Sequence, residues 1–420
     1  MKRMKALLLS TSDIEGGAAR AAYRLHQGLS TTGVDSYMFV QKKVSDDRTV
    51  LSCQNLLGKL SEKLKLSEHL DRLPLKRYHG SLKSSFSLQW TSEEVPAAIS
   101  TLNPQIINVH WICKGFLRIE TLATFKQPIV LTLHDMWAFT GGCHYSQECD
   151  RYTQSCGACP QLKSRHQHDL SRWVWSRKAK AWKDLNLTVV TPSRWLAECA
   201  SRSSLFQQTR VEVIPNGLDT QIYKPMDRCI ARDRLNLPQD KFLVLFGAMY
   251  ATSDARKGFH LLQPALQKLS TAGWQDKLEL IVFGAAKPSQ PTDFGFKTHY
   301  LGSFQDDLSL ALIYAAADVF VAPSVQDNLP NTVMEALACG TPSVAFKIGG
   351  MPDLIEHQYT GYLAQPYEAD DLAAGIAWIL DNPERHAALC QQSRQTTEQE
   401  FTVQQQAQAY KTLFEELLAS

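Results

Sequence analysis

Two kinds of block alternate along the chain. Short runs of four to six apolar residues are bounded by glycine, proline or small polar residues, and longer blocks of helical period separate them. Runs that are apolar on both faces predict parallel strands covered by helices on each side, an α/β protein. The first series opens with a strand at 5–9, a loop carrying Gly16-Gly17, and a helix at 18–29 stopped by Gly33. Strands at 37–40, 106–110, 129–134 and 187–191 follow. A second series begins at 242–247 and continues with strands at 278–283 and 319–322. After it come a short helix at 331–339, a strand at 343–346, and helices at 370–380, 383–395 and 403–418. Two doubly wound domains are therefore expected, their strand C-termini turned toward ligands across a cleft.

Length and charge sharpen this division. A chain of 420 residues holds two to three domains. Its net charge of +2 is a cancellation: residues 1–205 carry 28 Lys+Arg against 17 Asp+Glu (+11), and residues 206–420 carry 16 against 25 (−9). The seam falls near 206–225, giving domains at 1–205 and 206–400. No run of about 18 apolar residues occurs, which excludes a transmembrane helix. The apolar core of the start, Ala6 to Leu9, is too short for a signal peptide. Without a dense disulfide framework, a reducing cytoplasm is the expected compartment.

The segment from Ala322 to Pro342 carries the strongest chemistry. It reads as strand, loop and helix start, with Asn331 and Thr332 in a first turn whose N–H groups and dipole suit a phosphate. Glu335 shares their face one turn on, where a carboxylate suits ribose hydroxyls. A capped helix with a solvated glutamate is the plain alternative.

This segment resembles the donor-binding signature of retaining, family 4 type GT-B glycosyltransferases, in which two acidic residues bracket a nucleotide sugar. Here the pair is Asp327 and Glu335, and Asp327 stands where the family usually has Glu. The resemblance implies Asp327 on the sugar hydroxyls and Glu335 on the ribose. Ile214-Pro215-Asn216-Gly217-Leu218-Asp219 is similar to the interdomain signature. Arg256-Lys257-Gly258 stands where the family holds a diphosphate with Lys257; Thr252 replaces the family's arginine, leaving Arg256 as a substitute. Gly16 and Gly17 are implied to contribute to the diphosphate pocket, and His134 to hold the reacting sugar beside its anomeric carbon, with Asp135 supporting it. The same resemblance implies a last helix, 401–420, crossing back to the first domain. It also implies transfer without a catalytic metal, consistent with the lack of a D-x-D motif.

Cys143, Cys149, Cys156 and Cys159 form C-x5-C-x6-C-x2-C in a polar loop at 136–162. Four thiolates of that spacing can close a tetrahedral structural zinc site, with His144 as a substitute ligand; two disulfides or four free thiols are the alternatives. The loop is similar to one in a subgroup of bacterial surface-polysaccharide (colanic-acid-like) glycosyltransferases. Two basic stretches, Lys59 to Lys83 and Lys163 to Lys183, interleave cations with leucines and tryptophans. Such faces suit an anionic acceptor or the inner membrane surface, or are solvated helices with tryptophans packed inward. Nucleic acid is not expected. The chain is thus expected to move a sugar from a nucleotide-diphosphate donor to a hydroxyl of a glycan or lipid-linked, anionic acceptor, retaining configuration, in polysaccharide biosynthesis. A nucleotide-sugar epimerase, a phosphorylase and a non-catalytic sugar-nucleotide-binding module are the competing readings.

Overall fold

Both predicted sheets form, and both are parallel throughout. The computed structural model describes residues 3–52, 69–78, 85–91, 95–247, 254–284, 293–304 and 306–419. Thr252, Cys53, Lys59, Lys63, Lys65 and Lys83 lie outside the described residues. The chain divides into two units, Met1–Gly217 with Val403–Ser420, and Leu218–Thr402.

Unit 1 contains β1 (Lys5–Ser12), β2 (Asp35–Lys42), β3 (Val50–Ser52), β4 (Ile106–Val109), β5 (Ile129–Thr132), β6 (Leu187–Thr191) and β7 (Arg210–Val213), in the order β3-β2-β1-β4-β5-β6-β7. Alternate residues feed two cores, which is why the strands read as continuous apolar runs. Leu7, Leu9, Ile107, Val109, Leu131 and Val189 meet Val174 and Leu196 on one face. On the other, Ala6, Leu8, Ile106, Val130 and Val190 meet Ala22, Leu25 and Leu29 of helix Gly17–Thr31, and Tyr410, Leu413 and Phe414 of helix Val403–Ala419. Gly28 permits this approach: a Cβ there would lie 2.9 Å from Val403 Cγ2.

Unit 2 contains β8 (Phe242–Gly247), β9 (Leu278–Phe283), β10 (Thr298–Gly302), β11 (Val319–Ala322), β12 (Ser343–Phe346) and β13 (Gly361–Ala364), in the order β10-β9-β8-β11-β12-β13. One face packs Leu243, Leu245, Ile281 and Phe320 against Tyr314, Val333 and Leu337. The other packs Val244, Phe246, Leu280 and Val321 against Leu262, Leu266, Leu372 and Ile376.

Strand order reverses between β1 and β4 in unit 1, and between β8 and β11 in unit 2. Neighbouring loops diverge at such points, leaving room for a ligand at the carboxyl ends of the strands. Among the described residues, no helix is long and apolar enough to cross a membrane.

The middle of the basic stretch at 163–183 is turned inward, while Lys163, Arg165, Lys180 and Lys183 at its two ends are exposed. It contains helix Leu170–Trp182, where Lys178 is fully buried and donates to Thr140 O at 3.0 Å and to Trp137 O. Arg177 is held by Glu120 at 2.7 Å and by Leu88 O and Gln89 O. Arg172 donates to Cys156 O, and Trp182 is buried. Trp173 alone of the three tryptophans is exposed, with Arg177 stacked 4.6 Å from its ring centre.

Candidate functional site

In unit 2 the site begins where β8 and β11 end. The turn Ala255–Lys257 after β8 is capped by Asp254, whose carboxylate accepts from Arg256 N at 3.0 Å. Gly258 closes it with φ +73°, and a Cβ there would lie 1.7 Å from Pro323 O. Only glycine allows both the left-handed turn and this approach. Val325 N donates to Arg256 O at 2.8 Å, tying the β8 loop to the β11 loop. The result is a fixed pair of cations opposite one carboxylate.

Asp327 is that carboxylate. Its Oδ2 lies 2.7 Å from Lys257 Nζ, 3.3 Å from Arg256 Nη1 and 3.3 Å from Ser324 Oγ, and Oδ1 accepts from Asn328 N. Burial alone would raise its pKa, but Lys257 and then Arg256 outweigh the desolvation and hold it at about 2. Arg256 also donates to Gln326 O at 3.0 Å and pairs with Asp254. Gly349, at φ +51°, lies where a Cβ would come within 2.0 Å of Asp327 O, so the backbone around the carboxylate is packed from behind.

Asn331 and Thr332 open helix Asn331–Ala338 after Pro330, which offers no side-chain cap. Glu335, one turn on, is buried and accepts from the Tyr314 hydroxyl at 3.0 Å. Burial and the Glu335 carboxylate together push the Tyr314 phenol well above its ordinary value. The solvated glutamate is thus not what forms.

In unit 1, Gly16 follows β1 with φ +97° and precedes helix Gly17–Thr31, whose first turn has no side-chain cap. His134 stands two residues beyond β5. Its Nε2 is 3.0 Å from His110 Nδ1, and the two rings stack with centroids 5.3 Å apart. Burial lowers the His134 pKa to about 4 against the opposing pull of Asp135. Asp135 accepts from Trp111 Nε1 at 2.9 Å and Trp137 N at 2.8 Å, and its Oδ2 is 2.7 Å from His144 Nδ1. His144 Nε2 is engaged by Ser87 Oγ at 3.0 Å, so both of its ring nitrogens are spent and it is not a spare zinc ligand. Asn108 and His110 escaped the sequence reading. Nothing in a linear pattern pairs a strand-end histidine with another 24 residues away; the β4–β5 register does.

The four clustered cysteines line a single small cavity. Cys156, Gly157 and Ala158 all take positive φ, turning Cys156 and Cys159 back toward the loop, and Gly141 N lies 3.1 Å from Cys156 Sγ. Burial, then the neighbouring thiols, push the Cys143 thiol up; burial takes Cys156 to about 12. As they stand, no three His, Cys, Asp or Glu side chains among the described residues are placed to hold a metal ion.

Two family models match this chain: "Glycosyltransferase Family 4" over residues 15–222 and "Glycosyl transferases group 1" over residues 240–382. The chain belongs to the group 1/family 4 glycosyltransferases. A D-inositol 3-phosphate glycosyltransferase of Arthrobacter is 30% identical over 290 residues, 66% of this chain and 62% of that protein; a Segniliparus protein of that name matches over only 41% of its length. The chain thus spans about two-fifths to three-fifths of these relatives. A protein of Escherichia coli named as a colanic acid biosynthesis glycosyl transferase, WcaC, is 24% identical over 81% of this chain and 83% of its own. The sucrose-phosphate synthase structure from Thermosynechococcus elongatus shares the fold, with a TM-score of 0.71 at 20% identity, covering 99% of this chain and 100% of that one. The fold is therefore GT-B.

Proposed function

We propose that this glycosyltransferase moves a sugar from a nucleotide-diphosphate donor to a hydroxyl of a glycan or lipid-linked acceptor, with retention, in polysaccharide biosynthesis. The Lys257–Asp327–Arg256 cluster carries the reading. Lys257 and Arg256 hold the diphosphate and stabilise the charge that develops as it leaves. Gly16 and Gly17 form an uncapped helix start in unit 1, and Asn331 and Thr332 form one in unit 2, each suited to a phosphate. Asp327 takes hydroxyls of the transferred sugar, Glu335 takes the ribose, and His134 holds the sugar near its anomeric carbon. The departing phosphate oxygen receives the acceptor's proton on the face it leaves. The E. coli relative's name supports the polysaccharide setting.

The test combines donor binding with turnover. A thermal-shift screen against UDP-, GDP- and ADP-sugars identifies the base, and transfer is then compared in Lys257→Ala and Glu335→Ala. Each variant is expected to lose roughly a hundredfold or more. Full transfer by both would show the donor site to be misassigned.

For the loop at 136–162, the convergence of four cysteines on one cavity supports a closed structural zinc site, formed when the Sγ atoms turn inward, with no role in the transfer step. Metal analysis of protein purified under reducing conditions is expected to give one zinc per chain. Absence of metal with four titratable thiols, or two disulfides by mass, would reject it.

A further inference from the structure

Tyr367 is held in a backbone conformation that its residue type resists. It follows β13 in a turn closed by Glu368 N, which donates to Gln365 O at 3.2 Å; Pro366 is second in the turn and Tyr367 third, with φ +67°. That third position calls for glycine or asparagine, and a bulky residue there is strained. Of the described non-glycine residues with positive φ, Tyr367 alone carries an aromatic ring. The turn is pinned from the start of helix Ala369–Leu380, where Asp371 Oδ2 accepts from Gln365 N at 2.7 Å and Oδ1 accepts from the Tyr362 hydroxyl at 2.8 Å.

Contacts within the chain do little to offset this strain. Tyr367 is 55% exposed, its ring centre is 6.3 Å from that of Phe346, and its hydroxyl donates to Val325 O at 3.4 Å, long for an O–H···O bond. A ring that served packing would be buried, and a turn that only reversed the chain would form more easily with glycine. The ring does reach the loop that carries Asp327. β13 lies two strands from β11, roughly 10 Å at about 4.8 Å per strand, and the tyrosine crosses that gap to Val325, two residues before the carboxylate. Along the carboxyl edge of this sheet, Arg256 and Lys257 follow β8, Asp327 follows β11 and Tyr367 follows β13. A sugar with its hydroxyls on Asp327 and its phosphate toward Lys257 turns its far side to β13.

We propose that Tyr367 is a specificity-determining residue whose exposed ring packs on the transferred sugar, a pyranose, and forms the wall of its subsite opposite Lys257. This rests on the reading of Asp327 as the residue that takes the sugar hydroxyls. The C–H groups on one face of a pyranose offer apolar surface to an aromatic ring. The pinned turn keeps that ring in place before the sugar arrives, so binding does not have to order it. Strain retained at a position that touches ligand, rather than in the core, follows the same logic.

The experiment is titration calorimetry of the full chain with UDP, GDP and ADP and with UDP-glucose, GDP-mannose and ADP-glucose, each nucleotide sugar read against its own nucleoside diphosphate. Glycine and asparagine both suit the third position of the turn, so Tyr367→Gly and Tyr367→Asn keep the backbone and remove the ring. Both are expected to lose about tenfold in affinity for the nucleotide sugar and nothing for the matching nucleoside diphosphate. Tyr367→Phe keeps the ring, loses the hydroxyl, and should bind both as the unmodified chain does. Unchanged nucleotide-sugar affinity in the glycine and asparagine variants overturns the proposal. An equal loss of the nucleoside diphosphate also overturns it, because the loop as a whole would then be disturbed. So does a phenylalanine variant as weak as the glycine one, because the hydroxyl on Val325 O would then be the working contact. Asp327→Ala that binds the nucleotide sugar at full strength would instead sink the reading of Asp327 and leave the Tyr367 comparison intact.

Discussion

Asp327→Asn separates what the carboxylate does for unit 2 from what it does for the sugar. A fall from an ordinary 3.8 to about 2 is worth about 2.5 kcal/mol at 1.36 kcal/mol per unit. Asp327, Lys257 and Arg256 have side chains 9%, 17% and 25% exposed, so solvent screening removes little of it. The carboxylate's pKa is lower folded than unfolded. Its contribution is therefore complete above the unfolded value and is lost as pH falls toward 2. The asparagine variant should be less stable by about 2 kcal/mol at pH 7, lowering the melting temperature of unit 2 by roughly 4–8 °C. Calorimetry from pH 8 to pH 3 should show a gap that is flat down to about pH 5 and narrows below it. Lys257, released from its partner, should bind UDP, GDP or ADP at least as well, while transfer falls roughly a hundredfold. An absent gap at pH 7, or one that widens in acid, would refute the assigned ion-pair energetics. Loss of nucleotide binding in step with transfer would refute the division of labour between Lys257 and Asp327.

Two further perturbations probe the scaffold. Gly258→Ala forces a Cβ to within 1.7 Å of Pro323 O at φ +73°; thermal unfolding should show a cost of at least about 2 kcal/mol, with weaker nucleoside-diphosphate binding by titration calorimetry, and a variant unchanged in both would show that the β8 loop is not held by this contact. Lys178 is buried, which pulls its pKa down to about 7, against the opposing influence of Cys113, Cys156, Cys143 and Asp135. The unfolded chain therefore binds a proton that the folded one has given up, and stability should rise from pH 7 to 8.5; urea unfolding of Lys178→Met should lose that rise, and a parallel pH profile in the variant would contradict it.

The central strands were legible because burial on both faces writes itself into sequence. β6, β8, β9, β11 and β12 coincide with their apolar runs, and every residue of β9, β11 and β12 is buried. Edge strands carry no such mark. β7 reads Arg210-Val211-Glu212-Val213 with no buried residue, and β10 is half-exposed along its length, so both passed for connections. Helix Asp307–Ala316 went unread for the opposite reason: six of its ten residues are buried and apolar residues surround it, leaving no polar face to show a period. For the site, the resemblance to the family's signatures pointed to Lys257 and Asp327, and the structure brings them to 2.7 Å. The environment of Glu335 was beyond reach, because Tyr314 lies on a different helix and its hydroxyl is placed by packing alone.

Charge sums mislead in the same way, and for a reason that bears on the acceptor. Counting +11 over residues 1–205 treats every cation as a surface cation. Lys178 is buried under Trp137, Arg177 clamps Glu120 to two carbonyls, and Arg172 caps the cysteine loop at Cys156 O. Unit 2 does likewise with Arg232, buried against Asp318 at 2.6 Å. These side chains hold elements together, and long cations with apolar stems suit that work. A surface built to attract an anionic acceptor must be drawn from the cations that remain exposed, Lys163 and Arg165 at one end of this stretch and Lys180 and Lys183 at the other. Two separated pairs make a weaker attraction than a continuous basic face. Neutralising both should therefore leave transfer to a lipid-linked acceptor within about threefold at physiological salt, a change of at most about 0.7 kcal/mol. A drop of tenfold or more in Lys163→Ala/Arg165→Ala/Lys180→Ala/Lys183→Ala, reversed by raising acceptor concentration, would restore the basic-face reading that the buried cations argue against.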